Sequence, residues 1–256
     1  MSSQILERTF SLTEDQDLLQ QEVRRFAEER VRPGTAQRDR DHEFPAQVIE
    51  EMGGLGLLGM MVEERYGGFG VNAVTYVVCV EEVARACPST AVTMSVTNSV
   101  CCWPIDRFGN DELKSAVLPQ LASGECIGGF GLTEPGSGSD ASSMRTTARL
   151  DGDSWILDGE KAWITNAGVA RFFVVFAKTE ADQDHRGISA FVVPSDAEGF
   201  EIGTPEEKVG LRASRTAPLN FNGCRIPTGN LLGEEGQGFK IALATMDHSR
   251  LGIAAQ

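Results

Sequence analysis

The feature that most constrains the fold is an abrupt change of sequence pattern near Gly124. Before it, apolar residues recur at the three- and four-residue spacing that places them on one face of a helix. After it, short runs rich in Val, Phe, Thr and Gly alternate with turn dipeptides, a pattern typical of strands. The sequence therefore predicts an α+β protein in which the helices precede the sheet.

This change of pattern divides the chain into three predicted segments. An all-α helical domain is predicted for residues 1–125, and an antiparallel β domain, a barrel or a sandwich, for residues 126–232. Residues 233–256 return to helical spacing, and we predict that they are the first helix of a C-terminal helical domain. Because this helix shows no Gly or Pro stop signal before Gln256, we expect it to be truncated and to need a partner domain.

Local signals predict where individual helices begin and end. Thr13 and Gln16 have the spacing of a capping box at the start of the first helix. Asn110 is predicted to cap a helix that ends at about Leu118, before Pro119. The helical pattern over residues 89–103 is predicted to be interrupted at Pro104.

Two dipeptides in the β segment predict hairpins. Asp151-Gly152 and Asp158-Gly159 are the residue pairs that tight turns between antiparallel strands favour. Strands are predicted on either side of them, at 144–150, 154–157, 172–177, 188–193 and 217–221.

Charge and composition exclude several classes of function. The formal net charge of −14 argues against binding to nucleic acid or to an anionic membrane surface. It leaves room for a phosphorylated small molecule, because a few arginines and backbone amides suffice to bind one. The six cysteines contain no C-x-x-C pair and there are only three histidines, so we expect no metal site and buried, reduced thiols. With no secretory or transit pattern and no apolar run of about 20 residues, the protein is predicted to be cytoplasmic.

The segment Gly131-Leu-Thr-Glu-Pro-Gly-Ser-Gly-Ser-Asp140 is a candidate phosphate-binding turn. Gly136, Ser137 and Gly138 leave backbone amides uncovered and allow positive φ, and Ser139 adds a hydroxyl donor. On this chemistry alone, a plain β-turn is an equally good interpretation.

The segment Lys161-Ala-Trp-Ile-Thr-Asn-Ala167 is a candidate surface for a planar ring. In a strand, Trp163 and Thr165 point to the same face, so one face would offer an indole and a hydroxyl donor. A core tryptophan beside a solvent-facing threonine is the alternative.

Taken together, these segments resemble the acyl-CoA dehydrogenase family over essentially all 256 residues. The first segment fits the family's Thr-Glu-Pro-Gly-x-Gly-Ser-Asp signature, and Lys161-x-Trp-Ile-Thr-Asn follows at the family's separation. Further motifs agree in order: Phe44-Pro45, Glu64-Arg-Tyr-Gly-Gly-x-Gly70, Gly210-Leu-Arg-x-Ser214, Gly233-Glu-Glu-Gly-Gln-Gly-Phe239 and Met246-Asp-His-Ser-Arg-Leu251.

The resemblance implies FAD as cofactor and an acyl-CoA thioester as substrate, α,β-dehydrogenated with hydride transfer to flavin N5. Trp163 would pack against the ring, Thr165 would bond near N5, and backbone around Leu132 and Thr133 would meet the ring edge. The implied cofactor-binding residues are Phe130, Leu132, Thr133, Gly138, Ser139, Trp163, Ile164 and Thr165, and the implied substrate-binding residues are Ser139, Asp247 and Arg250.

The resemblance assigns no catalytic base to this chain. Most members of the family take a glutamate from the C-terminal helical domain, and a minority place it just before the arginine of the last helix, where Ser249 stands here. We therefore expect the chain alone to be inactive. The family also implies electron-transfer flavoprotein as electron acceptor and a homodimer or homotetramer.

Two alternatives to a dehydrogenase stay open on the sequence. One is an acyl-CoA oxidase-like flavoenzyme, because the motifs do not separate the two activities. The other is a non-catalytic acyl-CoA-binding or partner subunit, which the serine at position 249 would suit.

Four other features are interpreted as structural or left undecided. His248 is interpreted as a helix-surface residue rather than a base, and Glu234 and Glu235 as a solvated turn rather than a metal site. Arg212 and Arg215 are either structural or close to a phosphate, and the sequence does not decide between these roles.

Overall fold

Helices form the first half of the described chain. The computed structural model describes residues 11–256. The helices are α1 (Glu14–Phe26), α2 (Thr35–Asp41), α3 (Ala46–Gly54), α4 (Ala73–Ala86), α5 (Pro88–Val96), α6 (Trp103–Phe108) and α7 (Asp111–Ala122). α1 continues into a π-helical turn at Ala27–Val31, and a second π-helical turn at Thr97–Cys102 joins α5 to α6.

Both predicted helix caps are confirmed. The Thr13 hydroxyl accepts from the Gln16 amide at 3.3 Å, and the Gln16 side chain accepts from the Thr13 amide at 3.0 Å. The Asn110 side chain accepts from the Leu113 amide at 2.8 Å. These caps supply partners for backbone donors that the first helical turn leaves free.

Both predicted interruptions by proline are wrong. α7 continues through Pro119 to Ala122, because Leu118 and Leu121 on either side of the proline are fully buried and packing holds the turn together. Pro104 lies in the first turn of α6, directly after the π-helical turn at Thr97–Cys102, which keeps the chain helical through this position.

The second half of the described chain forms one mixed sheet. Its strands are β1 (Gly128–Gly131), β2 (Thr147–Asp151), β3 (Ser154–Thr165), β4 (Phe172–Lys178), β5 (Ile188–Pro194), β6 (Phe200–Ile202), β7 (Thr216–Pro227) and β8 (Leu231–Leu232). Their order is β6-β7-β3-β2-β4-β5-β8, with β1 paired to β4. The α+β class is confirmed, but the sheet does not close into a barrel and is not purely antiparallel.

The parallel pairings arise because β1 and β2 lie end to end along one side of β4. Gly131 pairs with Val175 and Thr147 pairs with Lys178, both parallel, while β5 occupies the other side of β4. Residues 132–146 therefore form an excursion out of the sheet between two strands that share a neighbour.

Of the two predicted hairpins, one is confirmed and one is wrong. Asp151 pairs with Ser154 across the turn between β2 and β3, where Gly152 has φ +60°. Asp158 and Gly159 instead lie inside β3, at a shift of its register with β7. A Cβ on Gly159 would lie 2.7 Å from the Thr146 backbone, so the glycine serves a close approach of two segments rather than a turn.

The last helix, α8 (Gly238–Ala255), packs against both halves of the chain. It contacts α4 and α5 on one side and β5 on the other. Ile241, Ala242 and Thr245 are buried, whereas Leu243 and Ile253 are about half exposed at 49% and 58%. The division into three domains at residues 125 and 232 stays a prediction.

Candidate functional site

The candidate site is built where the excursion 132–146 meets the end of β3. The backbone of Thr133 accepts a hydrogen bond from the Ala162 amide at 2.9 Å. This bond places the excursion directly beside Trp163. The structure therefore brings together the two segments that the sequence analysis selected separately.

A buried ion pair joins these segments more firmly. The Lys161 ammonium lies 2.7 Å from the Glu134 carboxylate and also donates to the Leu132 carbonyl at 3.3 Å. The same carboxylate accepts the amide hydrogens of Arg145 at 2.6 Å and Thr146 at 3.0 Å. Glu134 thus holds both ends of the excursion, and Lys161 attaches them to β3.

Both members of this pair are almost fully withdrawn from water, at 0% exposure for Lys161 and 4% for Glu134. Burial lowers the pKa of Lys161 to about 8, although the Glu134 carboxylate opposes that shift. Burial acts to raise the pKa of Glu134, but the charge and hydrogen bond of Lys161, with the two amide bonds, leave it below its ordinary value. The hydrogen bonds to the Glu134 carboxylate thus oppose the effect of burial on the pair.

The turn above this pair carries uncommitted backbone donors. Glu134 and Ser137 exchange backbone hydrogen bonds of 3.0 and 3.1 Å, which closes a tight turn. Among the described residues, no group accepts from the amides of Gly136, Gly138 or Ser139. All three residues are exposed, so these donors are free for a ligand or for water.

The glycines of this turn do not adopt the positive φ that glycine allows. Neither Gly136 nor Gly138 is among the glycines with positive φ. The closed turn needs no left-handed residue there, and a Cβ at either position would meet nothing within 4 Å, so no contact among the described residues requires glycine. The space over the turn is open.

Trp163 lies at a bulge in β3. The pairing with β7 shifts between Lys161 and Ile164, and Trp163 has φ +58°, a left-handed conformation that is costly for a bulky residue. Its side chain is 59% exposed, Ile164 is 2% exposed and Thr165 is half-buried. The exposure of Trp163 contradicts the alternative of a core tryptophan, whereas the bulge interrupts the regular alternation of the strand, so a shared face for Trp163 and Thr165 stays a prediction.

The other predicted cofactor residues lie around the same junction. The Phe130 ring packs edge-on against Phe176 at 5.1 Å, and the Leu132 side chain is buried at 7% exposure. Thr133 is half-buried, and its carbonyl is the acceptor of the Ala162 amide. Their contribution to a site would come chiefly from the backbone.

The predicted substrate residues of α8 are at the surface. Asp247 and Arg250 are 82% and 72% exposed and lie 3.7 Å apart as an ion pair. Ser249 donates its hydroxyl to the Met246 carbonyl at 2.9 Å. No contact that the structure gives for Asp247 or Arg250 joins them to residues 132–165, so their role stays a prediction.

His248 is half-buried rather than a free helix-surface residue. Its ring stacks on Trp103 with a centroid distance of 4.6 Å and an interplanar angle of 13°. Burial lowers the pKa of His248, and its Nε2 atom is buried without a hydrogen-bond partner.

The surroundings of Arg212 become clear, while Arg215 is simply exposed. The Arg212 amide donates to the Asp39 carboxylate at 3.0 Å, which links the helical half to the sheet. The contact is made by the backbone and assigns no role to the guanidinium, whose Nε atom is buried without a hydrogen-bond partner. Within residues 11–256, no group of His, Cys, Asp and Glu could hold a metal ion.

Comparison with known proteins assigns the family. Residues 13–125 match the family described as "Acyl-CoA dehydrogenase, N-terminal domain", and residues 129–224 match "Acyl-CoA dehydrogenase, middle domain". The chain belongs to the acyl-CoA dehydrogenase family. The human mitochondrial short-chain specific acyl-CoA dehydrogenase is 49% identical over 97% of this chain, which spans 60% of that protein.

Solved acyl-CoA dehydrogenase structures have the same fold. Butyryl-CoA dehydrogenase from Megasphaera elsdenii superposes with a TM-score of 0.93 at 39% identity, over 96% of this chain and 65% of its own. Glutaryl-CoA dehydrogenase from Mycobacterium smegmatis, solved in complex with FADH2, gives 0.88 at 37% identity, over 95% of this chain and 61% of its own. The chain thus spans less than two thirds of the relatives that it matches.

Sequence reasoning missed the central contact of this candidate site. Glu134 and Lys161 were noticed only as letters of two motifs, and neither was given a role. They are separated by 27 residues, beyond the reach of helical or strand periodicity. The available signal was weak: Lys161 precedes the apolar residues of the Ala-Trp-Ile run, and Glu134 stands in a Thr-Glu-Pro-Gly turn sequence, where a glutamate is ordinarily exposed.

Proposed function

We propose that this chain binds FAD across the 136–139 turn and the 163–165 strand and forms the flavin-facing part of an acyl-CoA dehydrogenase site. One observation carries the proposal: uncommitted amides at the turn and an exposed, left-handed Trp163 are held on the same buried Glu134–Lys161 anchor. A strained aromatic residue exposed beside free donors is typical of a binding site.

The residues of the site suit the two chemical parts of FAD. Free amides of Gly136, Gly138 and Ser139 are donors of the kind that hold a pyrophosphate. The indole of Trp163 offers an apolar face to a planar ring, and the Thr165 hydroxyl is a donor for a ring nitrogen. Among the other proposed cofactor residues, Phe130, Leu132, Thr133 and Ile164 shape the wall behind them.

When bound, FAD would supply the acceptor for the hydride that leaves the β-carbon of an acyl-CoA thioester. The chain's own residues orient the reactants and exclude water from the ring face. Ser139, Asp247 and Arg250 are proposed to contact the acyl-CoA, the latter two at its nucleotide end, where Arg250 would provide a charge for phosphate.

The described residues provide no catalytic base at the positions that the family uses. A hydroxyl such as that of Ser249 does not ionise near neutral pH, and it already donates to a backbone carbonyl. We therefore propose that these 256 residues bind FAD weakly and do not dehydrogenate acyl-CoA on their own. The serine at position 249 also favours a second candidate function, that of a non-catalytic acyl-CoA-binding module.

A matched pair of glycine substitutions tests the FAD proposal. Gly138 and Gly229 both have negative φ and open space at the Cβ position, so each accepts a side chain without strain. Gly138→Asp places a carboxylate at the turn amides and should abolish FAD binding through repulsion of phosphate, whereas Gly229→Asp should bind like the wild type. Flavin fluorescence titration measures both. Equal binding by the two variants would contradict the proposed site.

Addition of acyl-CoA to the FAD-loaded chain under anaerobic conditions tests the proposal that the chain does not dehydrogenate acyl-CoA on its own. The expected result is no bleaching of the flavin absorption. Bleaching would show that a base is present, and reoxidation of the bleached protein by O2 would then separate an oxidase from a dehydrogenase.

Partners and location are proposed on the family alone. Electron-transfer flavoprotein as acceptor and a homodimer or homotetramer are expectations, as is a cytoplasmic location; the human relative is named as mitochondrial. Among the described residues, no helix has both the length and the apolar character needed to cross a bilayer.

A further inference from the structure

The Glu134–Lys161 pair is a buried ion pair whose carboxylate also accepts hydrogen bonds from two backbone amides. Burying two charges carries a desolvation cost that commonly equals or exceeds their attraction, and apolar residues of similar size often serve as well. Here hydrogen bonds offset the desolvation cost, because the Glu134 carboxylate accepts from the Lys161 ammonium and from the Arg145 and Thr146 amides. Such a network defines one arrangement of its surroundings rather than simply filling a core.

The arrangement that it defines is the distance between the turn and the bulge. Glu134 is the first residue of the closed turn that presents the amides of residues 136–139. Lys161 is two residues before Trp163, on the strand segment whose register shifts. A displacement of the carboxylate relative to the ammonium would therefore move the turn relative to the indole.

We propose that Glu134 and Lys161 are positioning residues that set the spacing between the phosphate-binding turn and the ring-binding strand of this chain. The inference rests on the proposed function, because it concerns how FAD is held. A ligand that engages two subsites at once gains affinity only when their spacing suits it. Loss of the pair should weaken FAD far more than a ligand that occupies the ring subsite alone.

The test uses the whole chain and the double variant Glu134→Gln/Lys161→Met, which removes both charges together and leaves neither buried alone. Glu82→Gln is the matched control, since Glu82 is a carboxylate of 2% exposure paired with Arg24 in the helical half. Circular dichroism fixes a temperature at which all three proteins are folded. FAD and riboflavin, which has the ring but no phosphate, are then titrated by flavin fluorescence.

The expected result is a loss of FAD affinity of about tenfold or more in the double variant, with riboflavin affinity changed by less than about twofold. Glu82→Gln should leave both affinities unchanged. Equal weakening of FAD and riboflavin would assign the pair a general structural role, and unchanged FAD affinity would remove it from the site; either result overturns the inference. A wild-type chain that binds no FAD even at millimolar concentration would overturn the proposed function itself, and this inference with it.

Discussion

His248 of α8 stacks face to face on Trp103 of α6, which joins the last helix to the helical half through a pair of rings. The imidazole is half-buried and its Nε2 atom has no hydrogen-bond partner, so the neutral ring is the form that this contact favours. Burial lowers the pKa of His248 below its ordinary value of 6.5.

This stack predicts a pH dependence of stability. Above pH 6.5 the His248 ring is neutral in both states, and the stabilisation from its stack on Trp103 is fully present. As pH falls below 6.5, the unfolded chain binds the His248 proton more tightly than the folded chain does, so the free energy of unfolding decreases. His248→Phe keeps a ring against Trp103 and should remove this part of the dependence, while His248→Ala should cost about 0.5–1.5 kcal/mol. Urea denaturation on either side of pH 6.5 measures the difference. Parallel curves for wild type and His248→Phe would contradict the prediction.

Glu134 predicts a second pH dependence, at lower pH. Its folded pKa lies below the ordinary 4.5, so the stabilisation is present above that pH and is lost as pH falls through the folded pKa. Glu134→Gln should be less stable than the wild type at neutral pH, and the two should converge in acid. The free energy of unfolding, measured across a pH series, checks this. A difference that stays constant down to the lowest pH at which both proteins remain folded would show that the carboxylate charge is not involved.

Gly252 predicts a steric limit in the packing of α8. A Cβ there would lie 2.5 Å from the Ser95 hydroxyl and 2.7 Å from the Tyr76 hydroxyl, which are hydrogen-bonded to each other at 3.1 Å. Gly252→Ala should therefore destabilise by about 1–3 kcal/mol, although alanine is the better helix former.

Thermal or urea denaturation measures the effect of Gly252→Ala. Ile253→Ala, next along the helix and 58% exposed, is the control and should change stability by less than about 0.5 kcal/mol. A Gly252→Ala protein as stable as the control would mean that α8 shifts freely against α4.

Trp163 predicts a separation of stability from binding. Its left-handed backbone is strained and its ring is largely exposed, so Trp163→Asn should cost little stability, because asparagine tolerates that conformation. The same change should strongly weaken FAD binding. Trp155, at 5% exposure, is the contrast, and Trp155→Ala should cost about 3–5 kcal/mol. A large loss of stability in Trp163→Asn would show that the ring supports the fold.

The sequence predicted local features better than contacts between distant segments. The capping box at Thr13 and Gln16 depends on neighbours three residues apart, and it is correct in detail. Asp158-Gly159 has the same turn signal as Asp151-Gly152, but the approach of Thr146 makes it part of a bulged strand. Whether such a dipeptide forms a turn or a bulge depends on the segments packed against it, and the dipeptide sequence alone carries no information about them.

Long-range pairing also explains the error about the sheet. Parallel neighbours such as β1 and β4 are separated in the chain by the excursion and by β2 and β3, so no turn signal marks them. For the candidate site, motif resemblance selected the turn and the strand, and the hydrogen bond from the Ala162 amide to the Thr133 carbonyl makes these two segments neighbours. The Glu134–Lys161 contact that unites them required the structure.

The end-to-end placement of β1 and β2 along β4 has a consequence for variation. Glu134 accepts hydrogen bonds from the amides of residues 145 and 146 and so joins the two ends of the excursion next to the sheet. The residues between these ends therefore do not determine the register of the strands. Insertions, deletions and substitutions within 138–143 should leave strand pairing untouched. Residues 138–143 are therefore a suitable place to alter what the protein binds without changing its fold.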